Sequence, residues 1–211
     1  MDRDTALAYH RMAPRYDQRW RHYMKETLDR ACRYVEGSGP LRLLDVGCGT
    51  GEFTRQLASR LPEATFVGVD PAPGMIEQTQ RKLAEVGRVY FQCASAEELP
   101  FPDETFDWVT SCSSLHCFRD ARESVRQMVR VLKPKGRLLV MDWCRSSTAC
   151  RLLNRWCSWF DPTHVWMYSI EELRQMFEQT GCVIRRLDRF RVPWPGSLKL
   201  WEMMACVAMK L

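Results

Sequence analysis

Gly47, Gly49 and Gly51 alternate along DVGCGTG, and two acids frame them: Asp45 two residues before the first glycine, Asp70 nineteen beyond the last. A backbone without Cβ atoms lets a ligand come close. A helix opening behind such a loop adds unpaired N–H groups and partial positive charge, which suit a carboxylate, a phosphate or a ribose edge. An acid at the end of the following strand can accept from both ribose hydroxyls. Asp45 would lie within reach of a cationic ligand; a nicotinamide dinucleotide gains little from an acid there, whereas a ligand carrying an ammonium and a sulfonium gains much. The pattern is that of a nucleotide-type cofactor loop. His116 and His164 are the side chains whose ordinary titration near neutrality equips them to take a proton from a hydroxyl, an amine or an activated carbon.

The elements that must position these groups are legible in the hydrophobic pattern. Leu41, Leu43, Leu44 and Val46 form an apolar run that reads as a short strand covered on both faces, and Phe53, Leu57 and Leu61 then recur at helical spacing. Further strands are expected at Thr65–Asp70, Arg88–Gln92, Thr105–Ser111 and Arg137–Met141, with Asp142 and Trp143 at the tip of the last. Between them, Pro73 begins a helix, and Arg119–Leu132 is amphipathic with Val125, Met128, Val129 and Leu132 inward, ended by Lys133-Pro-Lys-Gly136. Ser169 and Glu172 form a capping-box pair for a helix that Gly181 closes. Cys182–Phe190 and Lys199–Lys210 complete the strands, with a Pro-rich turn between them. Residues 1–36 read as helices interrupted at Pro14, and Gly37-Ser-Gly-Pro40 separates them from the first strand. Alternating strands and helices imply an α/β domain whose ligand lies beyond the carboxyl ends of its strands. A length of 211 residues suits one such domain, 1–211.

DVGCGTG, GVDPAPGMIEQTQ, AEELPFPDETFDWV and MVRVLKPKGRLLV, in this order and spacing, resemble the S-adenosylmethionine-dependent class I methyltransferases, specifically the type 11 group that includes the quinone C-methylating enzymes. The resemblance runs from Leu41 to about Asp142, near half the chain. It implies a Rossmann-like, doubly wound sheet of seven strands, mostly parallel, with the last strand inserted antiparallel between the fifth and sixth. It implies S-adenosyl-L-methionine as cofactor, S-adenosyl-L-homocysteine as product and no metal. Asp45, Gly47, Gly49, Gly51, Asp70 and Pro71 would then hold the cofactor, with Met75 against the adenine ring and Ser111 at the end of the fourth strand. Ser95 and Ala96 stand at the adenine edge. Ser95 replaces the aspartate of the Gly-Asp-Ala run usual in the family, so that contact is expected in weakened form, since a neutral hydroxyl accepts less strongly than a carboxylate. Tyr9, Ala13, Tyr16 and Asp17 resemble the segment that folds over the cofactor. Residues 1–36 would act as a lid, with Tyr16 lining the chamber and excluding water.

The part expected to choose the acceptor is the insertion at 144–168, next to Trp143 and crowded with Trp156, Trp159, Phe160, Trp166 and Tyr168. Its bland reading is a small cap burying aromatics on the sheet. So many rings at the cofactor edge suit an apolar pocket for an aromatic or long-chained acceptor, with Arg151, Arg155 and His164 as its polar groups and Ser113 facing it from the fourth strand. His116 could equally cap the helix that follows it.

Hydrophobic residues at 45% and charged residues at 27% are ordinary for a globular protein. The net charge of +5 is spread through helices rather than gathered in a basic stripe, and there is no room for a nucleic-acid-binding domain. A small-molecule partner is expected, with no nucleic acid and no transmembrane segment. MDRDTALAYH has no apolar core of a signal peptide, and the ten cysteines show no CxxC spacing, which together point to a reducing cytoplasmic setting. Three other readings share these features. One is methylation of a thiophilic element such as arsenic through Cys112, Cys117, Cys144, Cys150 and Cys157. Another is a cofactor-binding protein without catalysis. The last is a Rossmann dehydrogenase.

Overall fold

The computed structural model describes residues 3–146, 150–152, 154, 155, 159, 166–192 and 201–211. The chain opens with helix α1 (Arg3–Met12), a single 3-10 turn (Ala13–Arg15) and α2 (Tyr16–Cys32). Pro14 sits at the start of that turn, where its missing N–H leaves no helical bond unmade. There follow β1 (Arg42–Val46), α3 (Glu52–Arg60), β2 (Thr65–Asp70), α4 (Pro73–Lys82), β3 (Val89–Cys93) and β4 (Phe106–Cys112). A second 3-10 turn (Leu115–Cys117) leads to α5 (Ala121–Val131), β5 (Leu132–Trp143), α6 (Ile170–Glu178), β6 (Cys182–Val192) and β7 (Trp201–Lys210).

Seven strands form one sheet in the order β3-β2-β1-β4-β5-β7-β6. β1 pairs in parallel with β2 and with β4, so the chain reverses its direction of winding between those neighbours and opens a crevice at their carboxyl ends. β7 lies antiparallel to both β5 and β6, as the expected topology requires. The central strands are covered on both faces, which explains their continuous apolar runs. One face packs against α5 and α6 through Phe106, Val125, Met128, Leu138 and Phe177. The other packs against α2 and α3 through Leu28, Phe53, Leu57, Leu139 and Met203.

The helix ends follow the sequence signals. Asp120 accepts from Glu123 N at the start of α5, and Ser169 with Glu172 completes the expected capping box of α6. Lys133-Pro-Lys-Gly136, read above as a terminator, falls within the length of β5, because Leu132 already pairs with Phe106 before a register shift. A third, smaller apolar cluster places the N-terminal segment. Ala13, Ala72 and Met75 pack together beneath Tyr9 and Tyr16. α1 approaches α4 closely at Gly74, where a Cβ would stand 2.8 Å from the His10 carbonyl. Among the described residues no helix is long and apolar enough to cross a membrane.

Phe177 is fully buried in the cluster on the α5–α6 face, apart from the cluster on the α2–α3 face and from the residues lining the crevice. Phe177→Ala is expected to cost about 3–5 kcal/mol in urea unfolding, while leaving ligand binding at the β1–β4 crevice unchanged in calorimetry.

Candidate active site

The loop after β1 is held in place by its own neighbours. Gly47 N and Cys48 N both donate to Val69 O, at 2.8 and 3.0 Å. Asp70, at the tip of β2, accepts from Gly49 N at 3.0 Å and from Ala72 N at 2.9 Å. Thr79 on α4 donates to Gly49 O at 2.7 Å. The three glycines do different work. A Cβ at Gly47 would stand 2.5 Å from Ser114 Cβ and one at Gly51 2.4 Å from Thr79 Cγ2, so these two permit packing. Gly49, at φ +53°, would meet nothing within 4 Å. Its bare face is open to a ligand rather than to protein.

That face borders a cleft of about 700 Å³, open mouth included. Its floor is the glycine loop with Asp45, Asp70 and Met75, its lid side carries Tyr9, Tyr16, Tyr23, Met24 and Leu28, and its far wall is Cys112, Ser113, Ser114 and Cys117. Asp45 is buried and accepts from Thr54 Oγ1 and Thr110 Oγ1, both at 3.0 Å. Burial drives the carboxyls of Asp45 and Asp70 up to about 6, although their hydroxyl and backbone donors pull them back. A bound cation would relieve that cost, so the electrostatics of the floor favour a positively charged ligand.

Asp17 latches the lid by accepting from Thr50 Oγ1 on the loop and from Lys82 Nζ on α4. Tyr9, Tyr16, Trp20 and Tyr23 form a run of ring contacts with centroids 6.0–6.4 Å apart. Burial raises the Tyr16 and Tyr23 hydroxyls well above the usual range, so both stay protonated donors. Ser113 adopts φ +57°, a left-handed conformation costly for a residue with a side chain. It is held there by Ser113 N donating to Met141 O at 2.7 Å and by Oγ lying 2.6 Å from Tyr23 Oη. Trp143 Nε1 donates to the same Tyr23 oxygen at 2.9 Å.

Of the residues singled out from the sequence, Tyr16, Asp45, Gly47, Gly49, Asp70, Met75 and Ser113 meet around this cleft. Gly51, Pro71, Ala96 and Ser111 stand outside its lining, Ser111 being fully buried with Oγ 3.0 Å from Ser114 Oγ. The Ser95 hydroxyl donates to Glu97, a carboxylate that also accepts from Arg119 N at 3.0 Å, so this side chain is engaged within the protein. His116 is buried behind the wall. Its Nδ1 lies 2.7 Å from Asp142 Oδ1 and its ring is stacked on Trp143 at 3.9 Å. Trp143 therefore supports the wall rather than lining it. Arg151, Arg155 and Trp159 are exposed, and the Trp166 ring lies under the Arg145 guanidinium while its backbone N–H donates to His116 O at 3.0 Å. His164, with Trp156, Cys157 and Phe160, lies outside the described residues.

Sequence reasoning missed Tyr23, Thr79 and the role of Asp142. Tyr16 and Tyr23 stand seven residues apart on α2, a spacing that puts them on one helical face and that would have found Tyr23. Among the described residues no group of three or more His, Cys, Asp or Glu side chains is arranged to hold a metal.

A family model described as a methyltransferase domain matches residues 44–140, from β1 through most of β5. The ubiquinone/menaquinone biosynthesis C-methyltransferase UbiE of Geobacter sulfurreducens is 34% identical in a match covering 94% of this chain and 78% of that protein. The chain belongs to the S-adenosylmethionine-dependent methyltransferase family. The uncharacterized methyltransferase YcgJ of Bacillus subtilis is 33% identical over 72% of this chain, and the match spans about three-fifths (61%) of that relative's length. The crystal structure of YcgJ shares the fold, with a TM-score of 0.76 at 24% identity over 88% of this chain and 98% of that one. The methyltransferase thus carries its matched motifs on the elements that build the cleft.

The raised carboxyls give this methyltransferase a pH signature. Folded Asp45 and Asp70 bind a proton more tightly than they do unfolded, so their stabilising contribution is complete below about pH 4 and is lost as pH rises through about 6. The ligand-free protein is therefore expected to lose, on the order of, 3 kcal/mol per carboxyl across that range. Urea unfolding at several pH values should show a smaller decline for Asp70→Asn than for the parent.

Proposed function

We propose that this chain transfers a methyl group from S-adenosylmethionine to a small acceptor with a hydroxylated aromatic ring, a quinol being the best-supported class, by direct displacement. The observation that carries the reading is the open face of Gly49 between two buried carboxylates, beneath a lid of tyrosines. The residues present fit the cofactor. Asp70 keeps lone pairs for the ribose hydroxyls after accepting two backbone N–H groups, and Asp45 offers negative charge to the ammonium of the amino-acid tail. Met75, in the cleft floor, would meet the adenine ring, and with the Ser95 hydroxyl bonded to Glu97 the adenine edge would be left to backbone groups at Ser95 and Ala96.

The sulfonium supplies an already activated methyl group, so the protein's task is alignment and exclusion of water. Residues 1–36 act as the lid: Asp17 closes it on Thr50 and Lys82, and Tyr9, Tyr16 and Tyr23 cover the chamber. Ser113, held in its strained conformation by Tyr23, turns its hydroxyl to the lid side of the wall. Acceptor choice is assigned to the stretch after β5, where Arg151, Arg155 and Trp159 are exposed. The quinol class draws its support from the Geobacter relative, named for methylation at carbon in ubiquinone and menaquinone biosynthesis.

Two measurements check this. Incubation with isotopically labelled S-adenosylmethionine and a soluble naphthoquinol, beside fractions of host metabolites, should yield a labelled methylated product in mass detection. Label recovered only in products without an aromatic ring would remove the quinol class. In calorimetry Gly49→Val and Asp70→Ala should each weaken cofactor binding by about tenfold or more, equivalent to about 1.4 kcal/mol, with both proteins still folded. Parental affinity in both would sink the assignment of the site.

A further inference from the structure

A chain of hydrogen bonds runs through the far wall to the cleft, and holding the cofactor leaves it without a task. It begins at Trp143, whose indole is gripped on two sides. The ring stacks on His116 at 3.9 Å and meets Trp201 edge-on at 4.6 Å. Asp142 fixes that imidazole in turn, its Oδ1 lying 2.7 Å from His116 Nδ1. The Trp143 N–H is thereby aimed, and it donates to Tyr23 Oη at 2.9 Å. Tyr23 Oη lies 2.6 Å from Ser113 Oγ and 3.6 Å from Met203 Sδ. Tyr23 and Ser113 both line the cleft, and Ser113 Oγ has no second partner among the described residues.

The direction of this chain follows from the chemistry of its members. An indole nitrogen only donates, so Tyr23 Oη accepts there and sends its own proton elsewhere. Of the two acceptors in reach, the Met203 thioether is weak and distant, whereas the Ser113 oxygen is close. A phenol is also a stronger acid than an aliphatic hydroxyl, and the indole N–H on its oxygen strengthens it further as a donor. Burial raises the Tyr23 hydroxyl well above the usual range, so the phenol has a proton to give. Ser113 receives that proton's hydrogen bond. Its own proton is left to point into the cleft.

Resting on the methyl-transfer reading above, we propose that Ser113 Oγ is the fixed hydrogen-bond donor of the acceptor site and holds a phenolate or carbonyl oxygen of the acceptor. Tyr23 and Trp143 are positioning residues that act through it. The left-handed backbone at Ser113, pinned by its N–H on Met141 O, is the strain that aims the hydroxyl. An acceptor presenting an N–H or ammonium at this point would leave the Ser113 proton unpaired, which disfavours amines. A phenolic acceptor gains most as its anion, because a charge-assisted hydrogen bond is roughly twice as strong as a neutral one. The titratable groups around the donor are Tyr9 and Tyr16 from the lid, Asp45 from β1, Cys112 and Cys117 from the wall and Asp142 behind Trp143. They are the same in the parent and in Ser113→Ala, so comparing the two isolates the hydroxyl.

The chromophore 4-nitrophenol tests the donor without a transfer step, because its absorbance reports whether the bound hydroxyl is ionised. With S-adenosylhomocysteine filling the cofactor site, its ionisation midpoint on the parent should lie about one pH unit below that on Ser113→Ala, a tenfold preference for the anion. Tyr23→Phe, which frees the Ser113 hydroxyl to turn, should raise the midpoint in the same direction but less far. Equal midpoints on the parent and Ser113→Ala, or no binding of 4-nitrophenol to the loaded parent, would overturn the inference. Labelled methyl transfer to naphthoquinol by the same parent would then still uphold the methyl-transfer reading. A shifted midpoint with no transfer to any acceptor sinks that reading and leaves the oxygen-anion donor in place. With naphthoquinol, Ser113→Ala should lower kcat on the order of tenfold, with KM for S-adenosylmethionine unchanged; an unaltered kcat counts against the role.

Discussion

The carboxylate of Asp70 sets the geometry on which the rest of the site depends. One oxygen takes the N–H of Gly49 and the other that of Ala72, so a single buried group ties the glycine loop after β1 to the start of α4. The tie holds the loop in the left-handed turns that glycine tolerates, and Thr79 closes it from the other side by donating to Gly49 O. A carboxylate kept this dry is costly to ionise, and Asp45, one strand away, shares the cost. The protein therefore stores an electrostatic demand at the floor of its cleft that a cationic ligand meets. Stability and binding are coupled there: what the empty fold loses by burying two acids, it regains when a positive charge arrives.

The N-terminal segment completes the chamber by contacts of three kinds. Close backbone approach at Gly74 docks α1 on α4, the small cluster of Ala13, Ala72 and Met75 removes apolar surface from water, and Asp17 bonds the loop and α4 together. None of these is large, and Asp17 is partly exposed, so its ion pair with Lys82 contributes little by itself. A lid held by several small interactions is suited to open and close on a ligand. The far wall is built differently. Ser113 in a strained turn, Tyr23 accepting from Trp143, and His116 clamped between Asp142 and Trp143 interlock through short hydrogen bonds in a dry environment. A soft lid therefore closes against a stiff wall.

Membership of the methyltransferase family follows from motifs that are local in sequence, and the same motifs carry the cleft floor. Differences between this chain and its family also sit in short stretches. The Ser95 hydroxyl, standing where the resembled motif has an acid, donates to Glu97 and is engaged within the protein. The insertion after β5 shows how little residue type says about placement: Arg151, Arg155 and Trp159 are exposed, while Asn154 is buried and accepts from Met167 N at 2.8 Å.

The sequence by itself determined the α/β alternation, the glycine loop with its flanking acids, the capping box of α6 and the family. Each of these is a pattern of near neighbours, set by side-chain periodicity, by the φ preferences of glycine or by reach along one turn of helix. Tertiary structure alone decided which side chains share the cleft. Tyr23 meets Ser113 across 90 positions, Tyr9 meets Cys117 across 108, and Asp142 meets His116 across 26. His116, the residue whose type most suggested a base, is set behind the wall while its neighbour Cys117 faces in. No periodicity encodes that choice, because it depends on the direction of a single turn between β4 and α5 and on a carboxylate brought to it by β5.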